Sequence, residues 1–491
     1  MKSKFSKVLS ILLSVVLVIS SFYLLYQVIR LNVLPSKFLF PLTIGVVVLD
    51  AICILLLIYF SKNVVSKIVC IVLTLFICVA SCMGGYYISK TQNVLSSITN
   101  VAKHAKNTVS VVVKESSSIK NKSQLNGVSV GSLRLNEQGS KKALKELSSE
   151  GIVLNQKEYD SMTALLEAFY NGEVDSIIIN ESSRSQILDM EAYSNFDSNT
   201  RVVYQTSYKV KNNDSATSVS DITSKPFNVL ISGSDTRGGF DENGRSDVIM
   251  IATVNPKTHT ILLTSVPRDF YVTTACDAGD GCMQGALDKI THTGIHGTNT
   301  TKRTVEQLLG IEINYTFKVG FDTVTELVDV LGGVDVYVEP GYATTTSQFS
   351  VHEGVNHLNA QQALAFARER YSYTEGDRQR TKNQQQVLMG IVKEATKPSV
   401  ITNYAAIMDT IANTFSTTMS NEEITDLIKY QLNNNPTWKM EQYMVDGTGD
   451  TLMCAELGDA ASVMVPDQST VKMAKDKINA VLAGKSSEDI K

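Results

Sequence analysis

Arginines and aspartates recur together where apolar runs end, and that pairing suggests chemistry on phosphate. Between the β-branched runs FNVLIS and VIMIATV lies the glycine-punctuated stretch GSDTRGGFDENGRSD, residues 233–247, which holds Asp235, Arg237, Arg245 and Asp247. SVPRDF, 265–270, closes a third apolar run with Arg268 and Asp269. FARERY, 366–371, sets Arg368 and Arg370 at the end of the apolar helix pattern NAQQALAFA. GDRQRTKNQQQ, 376–386, carries Arg380 and Gln384 four apart, hence on one helical face, with Asp377 three residues before Arg380. Arginine offers a planar fork that grips phosphate oxygens two at a time. Carboxylates beside it suit Mg2+, a hard ion that binds oxygen and keeps phosphate in its shell. The chemistry served is phosphoryl transfer from a pyrophosphate, where positioning and charge neutralisation do most of the catalysis. Any one segment alone is equally well explained as a wet surface with ion pairs; the four together make the pattern.

Other chemistries find less support. The chain has no phosphate-binding P-loop. His292 and His296 in THTGIH have a spacing that a helix could offer to zinc, but a glycine between them and no third ligand nearby favour loop residues. Ser246 and Ser265 have no histidine–carboxylate partner at a recognisable distance.

These side chains need elements to hold them. FNVLIS and VIMIATV read as buried strands, and a loop leaving such a strand is where an α/β fold places its ligand. Strand-like and helix-like patterns alternate from about residue 105 onward, which predicts an α/β fold class. Ahead of them stand three apolar runs, 8–29, 38–60 and 68–88, each long enough for a transmembrane helix. A cleaved signal peptide would account for the first run only. Lys2, Lys4, Lys7, Lys62 and Lys67 flank the spans on one side, against Arg30 and Lys37 on the other. The positive-inside rule then predicts a multi-pass protein of the cell membrane with a cytoplasmic N-terminus and an external main domain. Residues 1–90 carry +7, so the net −4 of the 491-residue chain leaves −11 for the rest. An acidic outer part argues against nucleic acid as a partner.

The expected organisation is a membrane anchor over 1–90, a stalk and small α/β accessory domain over 91–212, and a linker over 213–226. A larger α/β catalytic domain follows over 227–485, with a central sheet flanked by helices, and then a tail over 486–491. The accessory domain serves as a spacer or interaction unit. Cys53, Cys70, Cys78 and Cys82 lie in the spans and read as small apolar residues. CDAGDGC, 276–282, fits either a local disulfide or two free thiols. The run AQQALAFA, with FDTVTELVDVLGGV, fits either the wall of an apolar slot for a lipid tail or ordinary core.

In order along the chain stand GSDTR, GRSDVIMIATVNP, SVPRDFYV, DKITHTG, TVEQLLGIEINY, FDTVTELVDVLGGVDV, LNAQQALAFARERY and GDRQRTKNQQQVLMGI. The series resembles the LytR-CpsA-Psr family of cell-wall glycopolymer ligases, closely over about 225–395. The three spans and the accessory domain resemble its streptococcal capsule-associated CpsA type. The resemblance implies a membrane-anchored phosphotransferase. It would move a glycopolymer, capsular polysaccharide or a relative, from a polyprenyl-pyrophosphate carrier onto peptidoglycan, leaving a phosphodiester link and polyprenyl phosphate. It implies Mg2+ or Mn2+ held by Asp235 and Asp247, and pyrophosphate gripped by Arg245, Arg268, Arg368, Arg370, Arg380 and Gln384. Asp269 and Asp377 would orient these groups, and Arg268, Arg370 and Asp247 would carry catalysis. The implied partners are the lipid-linked glycopolymer, peptidoglycan, the membrane and capsule-assembly proteins. A polyprenyl-pyrophosphate hydrolase, or a membrane-bound regulator of wall or capsule assembly, is the alternative. Asn383 stands where the family often has arginine, and Thr291 where it usually has asparagine.

Overall fold

The computed structural model describes residues 2–60, 63–99, 104–134, 137–234, 242–276, 282–397, 406–407, 410 and 415–490, with backbone only at 2–6, 60, 137, 321 and 322. Three helices lead the chain, α1 (Lys2–Leu31), α2 (Ser36–Leu55) and α3 (Val64–Thr99). Each belongs to a segment long and apolar enough to cross a membrane. α1 and α3 pack closely because Gly85 has no side chain: a Cβ there would lie 2.4 Å from the Tyr23 ring. Ser21 donates to Asp50 at 2.9 Å, so the intramembrane acid of the second span ties two helices together. α3 outruns its apolar stretch, and its last turns present Val94, Leu95 and Ile98 to the outer part of the protein.

The first outer unit is a five-stranded sheet, β1 (His104–Lys114), β2 (Ser129–Leu133), β3 (Asn155–Tyr159), β4 (Ser176–Asn180) and β5 (Thr200–Lys211), in the order β3-β2-β4-β1-β5. β2 pairs parallel with β3 and β4, as strand–helix–strand order predicts, whereas β1 runs antiparallel to β4 and β5. Helices α4 (Glu137–Ser149), α5 (Met162–Asn171), α6 (Arg184–Asp189) and α7 (Phe196–Asn199) connect the strands. α5 begins where Ser161 accepts from the Ala164 amide and ends at Gly172, whose φ of 81° a side chain would resist. Residues 213–226, predicted as a linker, contain no helix or strand but lie along the second unit. Ile222 is buried there, and the Val219 amide donates to the Tyr315 hydroxyl at 3.1 Å.

In the second unit β6 (Phe227–Ser234), β7 (Val248–Asn255) and β8 (Thr260–Val266) form an antiparallel ladder. A short pair, β9 (Tyr271–Thr273) and β10 (Leu287–Lys289), precedes α8 (Thr298–Leu309). β11 (Tyr315–Gly320) joins β6 in parallel and leads into α9 (Phe321–Leu331). Four short strands follow, β12 (Val334–Val338) paired with β15 (Gly354–Leu358), and between them β13 (Thr344–Thr345) paired with β14 (Ser350–Val351). α10 (Ala360–Arg368) and α11 (Asp377–Ala395) come next. β16 (Phe415–Thr417) and β17 (Lys439–Met444) take the sheet edges, giving the order β16-β11-β6-β7-β8-β17.

Alternate residues of these strands enter different cores. Leu230, Ile251 and Leu262 pack with Val305, Leu309 and Ile478 on one face. Val229, Met250 and Leu263 pack toward Leu388, Val392 and Leu427 on the other. Coverage on both sides explains why the strands read as unbroken apolar runs. α9 and α10 bury their stripes against each other and β12, with Val328, Ala363 and Phe366 at the centre, so the residues considered for a lipid slot form core. A hairpin that the sequence did not predict, β18 (Gly447–Cys454) and β19 (Asp459–Pro466), leaves this unit and packs Cys454, Leu457 and Val463 into the core of the first.

Candidate active site

The strand register itself brings two of the expected residues together. Ile249 pairs with Val266 at the end of the β7–β8 ladder. Two residues further out on each strand stand Asp247 and Arg268, and the Arg268 Nη1 donates to Asp247 Oδ1 at 2.9 Å. The loop behind Asp247 is tied down by its neighbours. Ser246 Oγ lies 2.9 Å from Ser232 Oγ and 3.0 Å from Thr301 Oγ1, and its amide donates to Thr291 O at 3.0 Å. Gly294 passes so close that a Cβ would lie 2.5 Å from Gly244 O. Ser246 is thus a buried structural hydroxyl.

α11 supplies the opposite wall. Its roll is set by Gln385, whose amide donates to Ser265 Oγ at 2.8 Å and to Tyr443 O at 2.9 Å. With Gln385 turned into the sheet, Asp377, Arg380 and Gln384 line one polar recess together with Asp247 and Arg268. Arg380 Nη2 sits 2.5 Å from Asp377 Oδ1. Asp269 lies 3.7 Å from Arg268 Nε and 3.3 Å from Lys289 Nζ. Thr291 Oγ1 donates to Asp247 Oδ1 at 3.4 Å. Burial opposes the charge on Arg268, but Asp247, Asp269 and Asp377 outweigh it and raise its pKa. Arg380 goes the other way: burial lowers its pKa, nearby Arg268 and Arg370 lower it further, and Asp377 offsets them only in part. The Nε–H groups of Arg268 and Arg380 are buried and have no hydrogen-bond acceptor among the described residues. Two buried guanidinium donors without acceptors, side by side, make a site for an anion.

The other expected residues are placed differently. Arg245 is buried and reaches Asp247 Oδ2 at 3.8 Å with Nη2, while Nη1 pairs with Asp189 of the first unit. Arg370 is near enough to act on Arg380, but its own guanidinium donates to the Tyr371 hydroxyl at 2.6 Å and lies over that exposed ring. Arg368 is exposed on the last turn of α10 and is not among the residues that line the recess. Asp235 and Arg237 lie outside the described residues. Among the described residues no group of three or more His, Cys, Asp or Glu is arranged to hold a metal. His292 is bound by Asp288 at 2.7 Å and His296 by Glu456 at 2.8 Å, so both are satisfied by carboxylates. Cys276 and Cys282 form a disulfide. Lys289, Thr291 and Gln385 were missed by sequence reasoning, although the first two sit inside the quoted DKITHTG. Asp189 carried no signal at all, being 56 residues from Arg245.

Comparison with known proteins finds similarity over the C-terminal half of the chain. The LytR_cpsA_psr family model matches residues 192–480. The chain is 31% identical over 241 residues to the polyisoprenyl-teichoic acid–peptidoglycan teichoic acid transferase TagU of Bacillus cereus, covering 48% of this chain and 76% of that protein. It is 34% identical over 203 residues to TagU of Bacillus subtilis, covering 41% and 63%. Against the crystal structure of B. subtilis TagU the match is 28% identical with a TM-score of 0.41, over 52% of this chain and 97% of that one.

Proposed function

Because the chain belongs to the LytR-CpsA-Psr family, we propose that it transfers a glycopolymer from a polyprenyl-pyrophosphate carrier onto peptidoglycan at the recess between β7, β8 and α11. One observation carries the proposal: Asp247, Arg268, Asp377, Arg380 and Gln384 line a single recess, with two buried Nε–H groups free of acceptors among the described residues. A pyrophosphate brings the oxygens that such donors lack.

In the proposed reaction a peptidoglycan hydroxyl oxygen attacks the phosphorus that bears the glycopolymer. A new P–O bond forms, the bond to the bridging oxygen breaks, and polyprenyl phosphate departs with that oxygen. Arg268 and Arg380 neutralise charge on the phosphoryl and bridging oxygens, and Gln384 donates a neutral hydrogen bond beside them. Asp377 and Asp269 hold the two guanidinium groups in place. Arg268, kept charged by its aspartates, cannot accept the hydroxyl proton, so another group serves as base. Asp247, a carboxylate at the edge of the recess, fits Mg2+, which commonly takes one or two carboxylates and completes its shell with phosphate and water. Asp247, with Asp235, would hold the ion. When bound, it would add positive charge at the phosphates.

The three spans would keep this site beside a lipid-embedded donor, in the orientation with a cytoplasmic N-terminus that the flanking lysines favour. The TagU relatives act on teichoic acid by name. A capsular or related polysaccharide is our reading for this chain, from its accessory unit and three spans. Labelled lipid-linked donor, given to the purified protein with and without peptidoglycan, tests the proposal. Acceptor-dependent label on peptidoglycan is the expected result. Release of polyprenyl phosphate at the same rate without acceptor would make the protein a hydrolase instead.

A further inference from the structure

Asp189 ends α6 in the first outer unit, yet its carboxylate pairs with Nη1 of Arg245, a buried arginine of the second unit. The other η nitrogen of Arg245 faces Asp247, which in turn binds Arg268. An unbroken chain of charges therefore runs from the accessory unit into the recess. The contact is held from both sides. Ile187, Leu188 and Met190, which flank Asp189, pack in the core that also contains Cys454, Leu457 and Val463 of the β18–β19 hairpin. The Met162 amide donates to Leu457 O at 2.9 Å, and the Thr163 amide to Asp459 Oδ2 at 3.1 Å. On the far side Glu242, three residues before Arg245, accepts from Thr108 Oγ1 at 2.6 Å and pairs with Lys106 at 3.0 Å. Withdrawing Asp189 would mean opening a shared apolar core, so the contact suits a fixed prop better than a swinging gate.

We propose that Asp189 is a positioning residue of the transfer site, contributed by the accessory unit, which divides Arg245 between two carboxylates. Without it, both η nitrogens of Arg245 can turn on Asp247 as a fork. Asp247 would then be drawn from Arg268, and positive charge would crowd the place proposed for a divalent cation. The inference rests on the proposed site but makes a separate demand of it. Asp189 is half-exposed, its side chain 57% accessible, so a neutral amide there is compatible with folding.

The test uses the full-length protein in bilayer nanodiscs, with wild type, D189N, D189E and R268A compared for transfer from labelled lipid-linked donor and for melting temperature. D189N should lose about ten-fold or more in kcat/KM at an unchanged melting temperature, the scale seen when an orienting partner is removed. D189E, which restores the carboxylate, should recover most of the loss, as a packing role would not. D189N at the wild-type rate with R268A inactive would overturn the positioning role and leave the site standing. D189N faster than wild type would overturn it too, making the contact a brake. R268A at the wild-type rate would instead move the site elsewhere and remove the basis for both.

Discussion

Replacing Arg268 separates the two tasks that its guanidinium performs. Nη1 neutralises Asp247 at 2.9 Å, while the buried Nε–H has no acceptor among the described residues and is the group left for a substrate oxygen. In Arg268→Ala, Asp247 keeps the Thr291 hydroxyl at 3.4 Å and Arg245 at 3.8 Å, so its charge is not abandoned. The stability loss should therefore be that of one charge-assisted hydrogen bond, about 1.5–3 kcal/mol. Transfer should fall much further, by about 10²–10³-fold, the cost of deleting a donor aimed at charge that develops in the transition state. Arg268→Lys sharpens the distinction. Its ammonium can still pair with Asp247 but provides no planar fork. Its melting temperature should stay near that of wild type while transfer drops by about a hundred-fold. Release of polyprenyl phosphate, followed by mass spectrometry in nanodiscs, measures the rate, and a thermal scan measures the fold. Arg268→Lys transferring as fast as wild type would refute the role of the fork, and both variants doing so would remove Arg268 from the chemistry.

Three further outcomes are expected. Gly294→Ala would push its new methyl into Gly244 O and the Ser246 amide, shifting the loop that bears Arg245 and Asp247, so transfer should fall while the far-ultraviolet dichroism is unchanged. If Asp247 helps hold a divalent ion, chelator should abolish transfer, added Mg2+ should restore it, and Asp247→Asn should need more Mg2+ for half-maximal rate; chelator-resistant transfer would exclude the metal. Glu441 is buried, which would raise its pKa, but Lys439, Ser487 and Ser486 outweigh burial and push it down to about 2 from 4.5. A depressed carboxylate stabilises the fold above its unfolded value and loses that contribution as pH falls through its folded value, so the melting-temperature gap between wild type and Glu441→Gln should be full near neutrality, narrow below about pH 5 and close only near about pH 2. A gap constant across that range would contradict the pairing.

Much of the fold could be read because its physics is local. FNVLIS, VIMIATV and the run ending at SVPRDF are apolar on both faces, and each became a strand covered by helices on both sides. The i, i+4 spacing of Arg380 and Gln384 put them on the wall of one recess with Asp377. Arg268 and Asp247 met because each stands just past a strand end, and antiparallel pairing brings such positions together. What escaped was set by partners distant in sequence. The hairpin 447–466 shows weak alternation because its apolar residues serve the core of another unit, a fact that its own pattern cannot carry. Gln385 could not be told from Gln384 or Gln386 in NQQQ, since only the roll of the helix decides which one enters the sheet. The two readings of AQQALAFA differed by whether a facing stripe closes on it, and the stripe of α9 does.

The continuity of α3 has a mechanical consequence. Its 36 residues span about 54 Å at 1.5 Å per residue, against a hydrocarbon thickness of about 30 Å, so the excess is a rod, not a tether. Val94, Leu95 and Ile98 dock on α9 residues Leu327, Val330 and Leu331, and Thr99 donates to Asn421 at 2.8 Å. Altitude above the lipid headgroups and compass bearing are thereby coupled, as on a screw. Two residues inserted just before Val94 would swing the docking face through roughly 200°, pointing it away from its seat, while seven would return it to nearly the same azimuth but about 10 Å higher.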